Sequence, residues 1–277
     1  MLRSMNGLEK YTIRAIDGTI GHVRDCYFDD QGWVIRYLVV DAGTWLLSRE
    51  VLISPIAVAE PDWAGKVLPV SVTKEQVRNS PSIDTRRPVS RQHEIQWLGY
   101  YGYPYYWQRP AVRGVGAYPS VHRSGLSSPA STAGPAESSA AIEFAAAEAV
   151  RHANDDVHLR SCEEVLTYQV HATDGDVGHV SGLLIDDETW AIRFIVVSTG
   201  NWWAGHRVLL SPDWIDDISW SEAKLSVNLT RAQLQGAPRY EATALLDRDG
   251  EAAVFEYYGR MGYGSREPDH GAAARHP

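Results

Sequence analysis

Asp17-Gly18-Thr19-Ile20-Gly21-His22-Val23 returns later in the chain as Asp174-Gly175-Asp176-Val177-Gly178-His179-Val180, an offset of 178 − 21 = 157 residues. The offset holds without a gap on both sides of the motif. Trp33-Val34-Ile35-Arg36-Tyr37-Leu38-Val39-Val40 falls on Trp190-Ala191-Ile192-Arg193-Phe194-Ile195-Val196-Val197, and Val51-Leu52-Ile53-Ser54-Pro55 on Val208-Leu209-Leu210-Ser211-Pro212. Trp63 matches Trp220, Thr73 matches Thr230, and Tyr100-Tyr101-Gly102 matches Tyr257-Tyr258-Gly259. Self-similarity in one register over most of the chain is the signature of a duplicated structural unit. The expected layout is a first module over 1–106, a linker over 107–157, a second module over 158–263 and a disordered tail over 264–277.

Within each unit the local signals are those of strands. Tyr11–Ala15 and Ile20–Phe28 are rich in β-branched and aromatic residues, and Asp17-Gly18 between them suits the positive φ angles of a tight hairpin. Asp29-Asp30-Gln31-Gly32 predicts a second turn. Trp33–Val40 reads as a strand buried on much of both faces. Glu50–Ile53 is a further strand that Pro55 stops, and Lys66–Val72 another. Thr73-Lys74-Glu75-Gln76 and Thr230-Arg231-Ala232-Gln233 each fit a capping box that opens a short helix. Helical segments follow at Arg91–Tyr101 and Asp249–Tyr258. Short strands, close turns and a short helix together predict a mainly β chain of two small antiparallel β-barrels, each followed by short helices.

Residues 112–141 are dominated by Gly, Pro, Ser and Ala, which bury too little apolar surface to offset the entropy of ordering. They read as a flexible linker, with an alanine-rich helical stretch at Ala140–His152.

The 277 residues carry a formal net charge of −9 and 44% hydrophobic residues. That balance argues against broad attraction to nucleic acid or anionic lipid. By segment the net charge is 0 over 1–106 (12 basic, 12 acidic), −1 over 107–157 (4 and 5) and −8 over 158–277 (10 and 18), so the excess acid lies in the second half. Two cysteines, Cys26 and Cys162, occupy different repeat positions, which argues against a disulfide framework. With no run of roughly 20 apolar residues and no apolar leader, the expected location is the cytoplasm.

The succession Asp17-Gly18-x-x-Gly21-His22-Val23, Asp29-Asp30, Trp33-x-Ile35-Arg36-Tyr37-x-Val39-Val40 and Val51-Leu52-Ile53-Ser54-Pro55 resembles the PRC-barrel family. That family includes the cytoplasmic barrel of the photosynthetic reaction-centre H subunit and the C-terminal barrel of the ribosome maturation factor RimM. The resemblance covers most of the chain outside the linker and is nearest to bacterial proteins with two such barrels. It implies a fold and a habit of docking onto larger assemblies, and it supplies no catalytic residues. This chain shows no membrane-spanning helix before its barrel and has a second copy where RimM has a different domain, so neither electron transfer nor ribosome assembly follows.

The chemical candidates are few. His22 and His179 sit at matching positions, but no second histidine or cysteine lies at ligand spacing, so a local hydrogen bond is the expected role. Asp29-Asp30 and Asp186-Asp187 lack the further ligands of a calcium loop and read as solvated turn residues. Turn geometry accounts for Asp17 and Asp174. Arg36 and Arg193, charges inside apolar strands, must find a partner or face outward; an outward, edge-facing placement beside Trp33 or Trp190 is expected, compatible with a docking surface. Trp45, Trp202 and Trp203 follow a glycine turn as binding anchors or core lids, and both readings stay open. The run Trp97–Trp107 is densely aromatic without interleaved basic residues, which favours packing over base stacking.

The candidate interaction surface is Arg36, Trp45, Tyr103, Tyr105, Trp107, Arg193, Trp202 and Trp203. The expected activity is non-enzymatic: a protein-interaction or regulatory module with no cofactor, a protein partner, no nucleic acid and its two barrels packed together, the tail Tyr100–Trp107 lying between them. The alternatives are an accessory subunit of a membrane or photosynthetic complex and, further off, a metal-binding protein.

Overall fold

A Cβ on Gly21 would stand 1.8 Å from the carbonyl oxygen of Asp41, and one on Gly178 would stand 1.9 Å from that of Ser198. At both places a neighbouring strand passes closer than any side chain permits, which is why the Gly-His-Val motif recurs. Gly18 and Gly175 open the same strands at φ of 137° and 135°, a region open to glycine. In a computed structural model the chain is described over residues 1–46, 49–81, 89, 91–108, 158–199, 206–241 and 246–259. The expected linker, apart from its first two residues, its alanine-rich helix and the C-terminal tail lie outside the described residues.

The chain is mainly β, with two sheets. The first is built from β2 (Thr12–Ala15), β3 (Gly18–Asp29), β4 (Val34–Asp41), β5 (Glu50–Ile53) and β6 (Val67–Pro69), in the order β5-β4-β3-β2-β6. The second uses β8 (Gln169–Ala172), β9 (Gly175–Asp186), β10 (Ile192–Ser198), β11 (Arg207–Leu210), β12 (Ile215–Ser219) and β13 (Lys224–Val227), in the order β11-β10-β9-β8-β13-β12. Both are mixed rather than antiparallel throughout. β2 runs parallel to β6 and β8 to β13, because the chain crosses from β5 or β11 to the far side of the sheet before it pairs again.

Two further strands, invisible to the periodicity argument because each has three residues, join the halves. β1 (Leu2–Ser4) pairs with β9 of the second sheet, Leu2 opposite Asp186. β7 (Leu159–Ser161) pairs with β3 of the first, Leu159 opposite Asp29. Each half therefore lends its first strand to the other, at positions 157 apart. The exchange is reciprocal.

Its pseudo-two-fold axis can be located. Val34 makes an antiparallel bridge with Ala191, its own repeat equivalent, and Ile35 N–H donates to the Trp190 carbonyl at 2.9 Å while Ile192 N–H donates to that of Trp33 at 2.7 Å. Both tryptophans leave the strand: Trp33 and Trp190 take φ of 53° and 60°, an uncommon conformation for a bulky residue, and end the turn that precedes β4 or β10. One apolar cluster runs through both halves, with Trp33, Ile35, Leu38, Leu183, Ile192 and Phe194 all essentially buried. At the rim the symmetry extends to charge. Arg3 Nε reaches Asp187 at 2.8 Å with its guanidinium 3.8 Å over Trp63, and Arg160 Nε reaches Asp30 at 3.0 Å with its guanidinium 4.1 Å over Trp220.

The helices are short. α1 (Lys74–Asn79) and α4 (Arg231–Gly236) start from capping boxes at Thr73/Gln76 and Thr230/Gln233. Asp17 and Asp174 do more than turn the chain, since each accepts the N–H of the first helical residue, Lys74 at 2.8 Å and Arg231 at 2.7 Å. α2 (Arg91–Tyr101) and α5 (Arg248–Tyr257) follow each sheet, and α3 (Cys162–Val165) continues directly from β7. Among the described residues no helix is long and apolar enough to cross a membrane.

Candidate functional site

Helix α2 and the aromatic segment after it lie on the outer face of the first sheet. That face needs a cover. Inward residues of β4 join the shared core, whereas Tyr37, Val39 and Leu52 form a second apolar cluster with Trp97, Leu98 and Leu159, against which Tyr101, Tyr103, Tyr105 and Trp107 pack half-buried. Tyr103 stacks on Tyr101 with ring planes 9° apart and centroids 5.5 Å apart, and Tyr105 contacts Trp107 at 5.0 Å. Burial pushes the Tyr103 phenol up to about 12, so it stays protonated. The segment thus covers the outer face of its own sheet and, among the described residues, also reaches Leu159 of the second half and the core shared by both halves.

Under this cover sits a polar cluster. Arg36 was expected to face outward at an edge; it is 2% exposed, because β4 is flanked by β3 and β5 and roofed by the segment. Its Nε lies 2.5 Å from Asp29 Oδ2, and its guanidinium stacks 3.9 Å over Tyr106. Asp29 also accepts the Gly32 N–H, so it is a buried ion-pair partner rather than a solvated turn residue. Asp30 is half-buried against Arg160. Burial raises the Asp30 carboxyl, and the Arg160 contact opposes that rise.

Glu94 on α2, fully buried, is the hub. Its Oε2 accepts from Tyr37 Oη at 3.1 Å and Tyr106 Oη at 2.7 Å, and its Oε1 meets His158 Nε2 at 2.7 Å. One carboxylate therefore ties together β4, the aromatic segment and the first described residue of the second half. Tyr106 and His158 thus meet on the same carboxylate.

The second half has the counterpart. Arg193, also expected outward, is half-buried and bonds Glu251 on α5 through both Nε, at 3.1 Å, and Nη2. Glu94 and Glu251 stand 157 apart, as do Arg36 and Arg193. The two acids serve different partners, Glu251 the arginine of its own half and Glu94 two tyrosines and His158, and sequence reasoning named neither acid nor His158.

The remaining candidates scatter. Trp45 is half-buried against the shared core, donates its indole N–H to the Ile20 carbonyl at 2.5 Å and lies under Lys74 Nζ at 4.5 Å, the arrangement of a core lid. Trp202 and Trp203 lie outside the described residues. His22, exposed, pairs with Thr12 Oγ1 at 3.4 Å. Among the described residues no group of three His, Cys, Asp or Glu side chains could hold a metal ion. What the structure brings together is Arg36, Tyr103, Tyr105 and Trp107 on one face, with Arg193 at the pseudo-symmetric place on the other half. Neither a protein-family model nor a curated protein matches this chain.

Proposed function

We propose that the chain is a non-enzymatic interaction module of tandem PRC-barrel type, in which two strand-exchanged halves make a rigid base and the aromatic face of the first half receives a protein partner. The observation that carries this reading is an asymmetry. The base is two-fold down to its rim ion pairs, yet Tyr103, Tyr105 and Trp107 have Arg260, Gly262 and Gly264 as their repeat equivalents. Three half-buried aromatic rings were added to one half only, over a sheet whose twin lacks them at those positions. Aromatic residues are the commonest anchors of protein interfaces, and a local apolar patch of this kind marks such surfaces. The ion pairs beneath are consumed in holding the cover in place, a structural use that suits a binding protein.

The test is quantitative capture from native extract with the full chain and with the Tyr105→Ser/Trp107→Ser double variant. The reading expects a stoichiometric partner that the wild type retains and the variant loses, with the β-sheet circular dichroism of the variant unchanged at the capture temperature. Identical capture profiles from two folded proteins would overturn it. Membrane-complex subunits among the lost proteins would assign an accessory role, and soluble proteins an adaptor role.

A further inference from the structure

Along the exchanged ladder, Asp29, Phe28 and Tyr27 of β3 stand opposite Leu159, Arg160 and Ser161 of β7. The ladder ends there, and extending its register by one step would set Cys26 opposite Cys162, where β7 passes into α3. A second contact ties the same backbone: Asp25 Oδ1 accepts both the Cys26 N–H at 2.7 Å and the Glu163 N–H at 3.0 Å, while its Oδ2 takes the Ser161 hydroxyl at 2.6 Å. Directly opposed residues of an antiparallel pair have Cα atoms roughly 4.5–5.5 Å apart, inside the roughly 4.4–6.8 Å span that a disulfide bridges. Both cysteines are free and buried. The pseudo-symmetric site, Met5 opposite Leu183, is wholly apolar.

We propose that Cys26 and Cys162 are an oxidisable pair that a small hydroperoxide converts to a disulfide, locking the exchanged strand β7 onto the first half. A small pocket whose lining includes Glu9, Asp25, Glu163 and Cys162 lies beside the second thiol and marks the side from which the oxidant approaches. With hydrogen peroxide as the oxidant, the Cys162 thiol gives up its proton, the thiolate attacks one peroxide oxygen, the O–O bond breaks, and the departing hydroxide takes that proton, leaving the sulfenic acid and one water. The Cys26 sulfur then attacks the Cys162 sulfur, its proton leaves with the hydroxyl as a second water, and the S–S bond closes. Two thiols are oxidised and one peroxide is reduced. Burial first, and the Asp25 carboxylate as well, hold both thiols well above the ordinary cysteine range, and Glu9 faces Cys26 with the same sign. The pair is therefore slow at neutral pH, and closure speeds up about tenfold per pH unit as thiolate forms.

The chain has no other cysteine, which makes the readout clean. A protease site is placed within residues 112–141 of the full chain; the folded protein is treated with hydrogen peroxide, its residual thiols are blocked, and the linker is then cut. On a denaturing gel without reductant the halves should run as one band that reductant splits, and Cys26→Ala or Cys162→Ala should each abolish the joined band. In a Cys26→Ala/Cys162→Ala background, Met5→Cys/Leu183→Cys should restore it through the symmetric site. Separate halves with alkylatable or individually oxygenated thiols, or covalent dimers between chains, would overturn the proposal.

Discussion

Replacing Arg36 by Met separates a buried ion pair from a merely covered one, because its twin Arg193 serves as an internal control. Side-chain exposure is 3% for Arg36 and 6% for Asp29, against 13% for Arg193 and 17% for Glu251. Arg36→Met leaves the Asp29 carboxylate under the aromatic cover, still accepting the Gly32 N–H. Breaking one side of a fully buried pair costs about 3–5 kcal/mol. Arg193→Met leaves Glu251 where water reaches it, and the loss is that of hydrogen bonds to a charged group, about 1.5–3 kcal/mol. For a chain of this size a kilocalorie moves the melting temperature by about 2–4 °C, so Arg36→Met should fall by roughly 6–20 °C and Arg193→Met by clearly less. Urea unfolding monitored by tryptophan fluorescence gives both free energies on one scale. Asp29→Asn added to Arg36→Met should recover a large part of the loss, since the remaining group is neutral and still accepts from Gly32. Equal losses for the two arginines, or no recovery in the double variant, would refute the buried-pair assignment.

Gly21→Ala and Gly178→Ala should each prevent stable folding or cost several kcal/mol, because the new methyl meets backbone at 1.8 or 1.9 Å and no flexible side chain can yield; soluble yield and circular dichroism measure it, and near-wild-type melting would contradict it. Asp25 gives a pH signature. Burial raises its carboxyl in the fold despite three hydrogen bonds that oppose the rise, so the native state binds the proton more tightly than the unfolded chain, and its contribution to stability falls as pH rises from about 3.8 through the higher folded value. Asp25→Asn should flatten that fall in a stability-against-pH series, and an unchanged slope would count against it. Arg160→Ala should cost more than the typical exposed salt bridge, about 1 kcal/mol or less, because it also uncovers Trp220; a denaturant melt decides.

How much of this was legible in the chain depends on range. The capping boxes at Thr73 and Thr230 and the Asp17-Gly18 turn are local facts, the 157-residue register carries them to the second half, and the structure places strands, turns and helices where they point; the close approach of Asp41 and Ser198 to Gly21 and Gly178 is not local and needed the structure. The strand exchange was hidden because β1 and β7 are three residues each, too short for alternation to register, and because their partners lie at least 130 positions away. Arg36 was misjudged for the same reason. A charge in an apolar strand says that a partner must exist, but that partner is Asp29 at the end of β3, and the roof over β4 comes from residues 91–107, far along the chain. The aromatic run read correctly as a packing element, and its target, the outer face of its own sheet, could not be chosen without knowing that β4 presents Tyr37 and Val39 there.

The central claim is that the halves form one body through reciprocal strand exchange. Cutting the full chain within residues 112–141 and passing it through size-exclusion chromatography with in-line light scattering, under reducing conditions, tests that claim most directly. The account predicts that both fragments elute together as a one-to-one complex at nearly the intact hydrodynamic radius and stay together on dilution, whereas fragments that elute separately with native circular dichroism would contradict it.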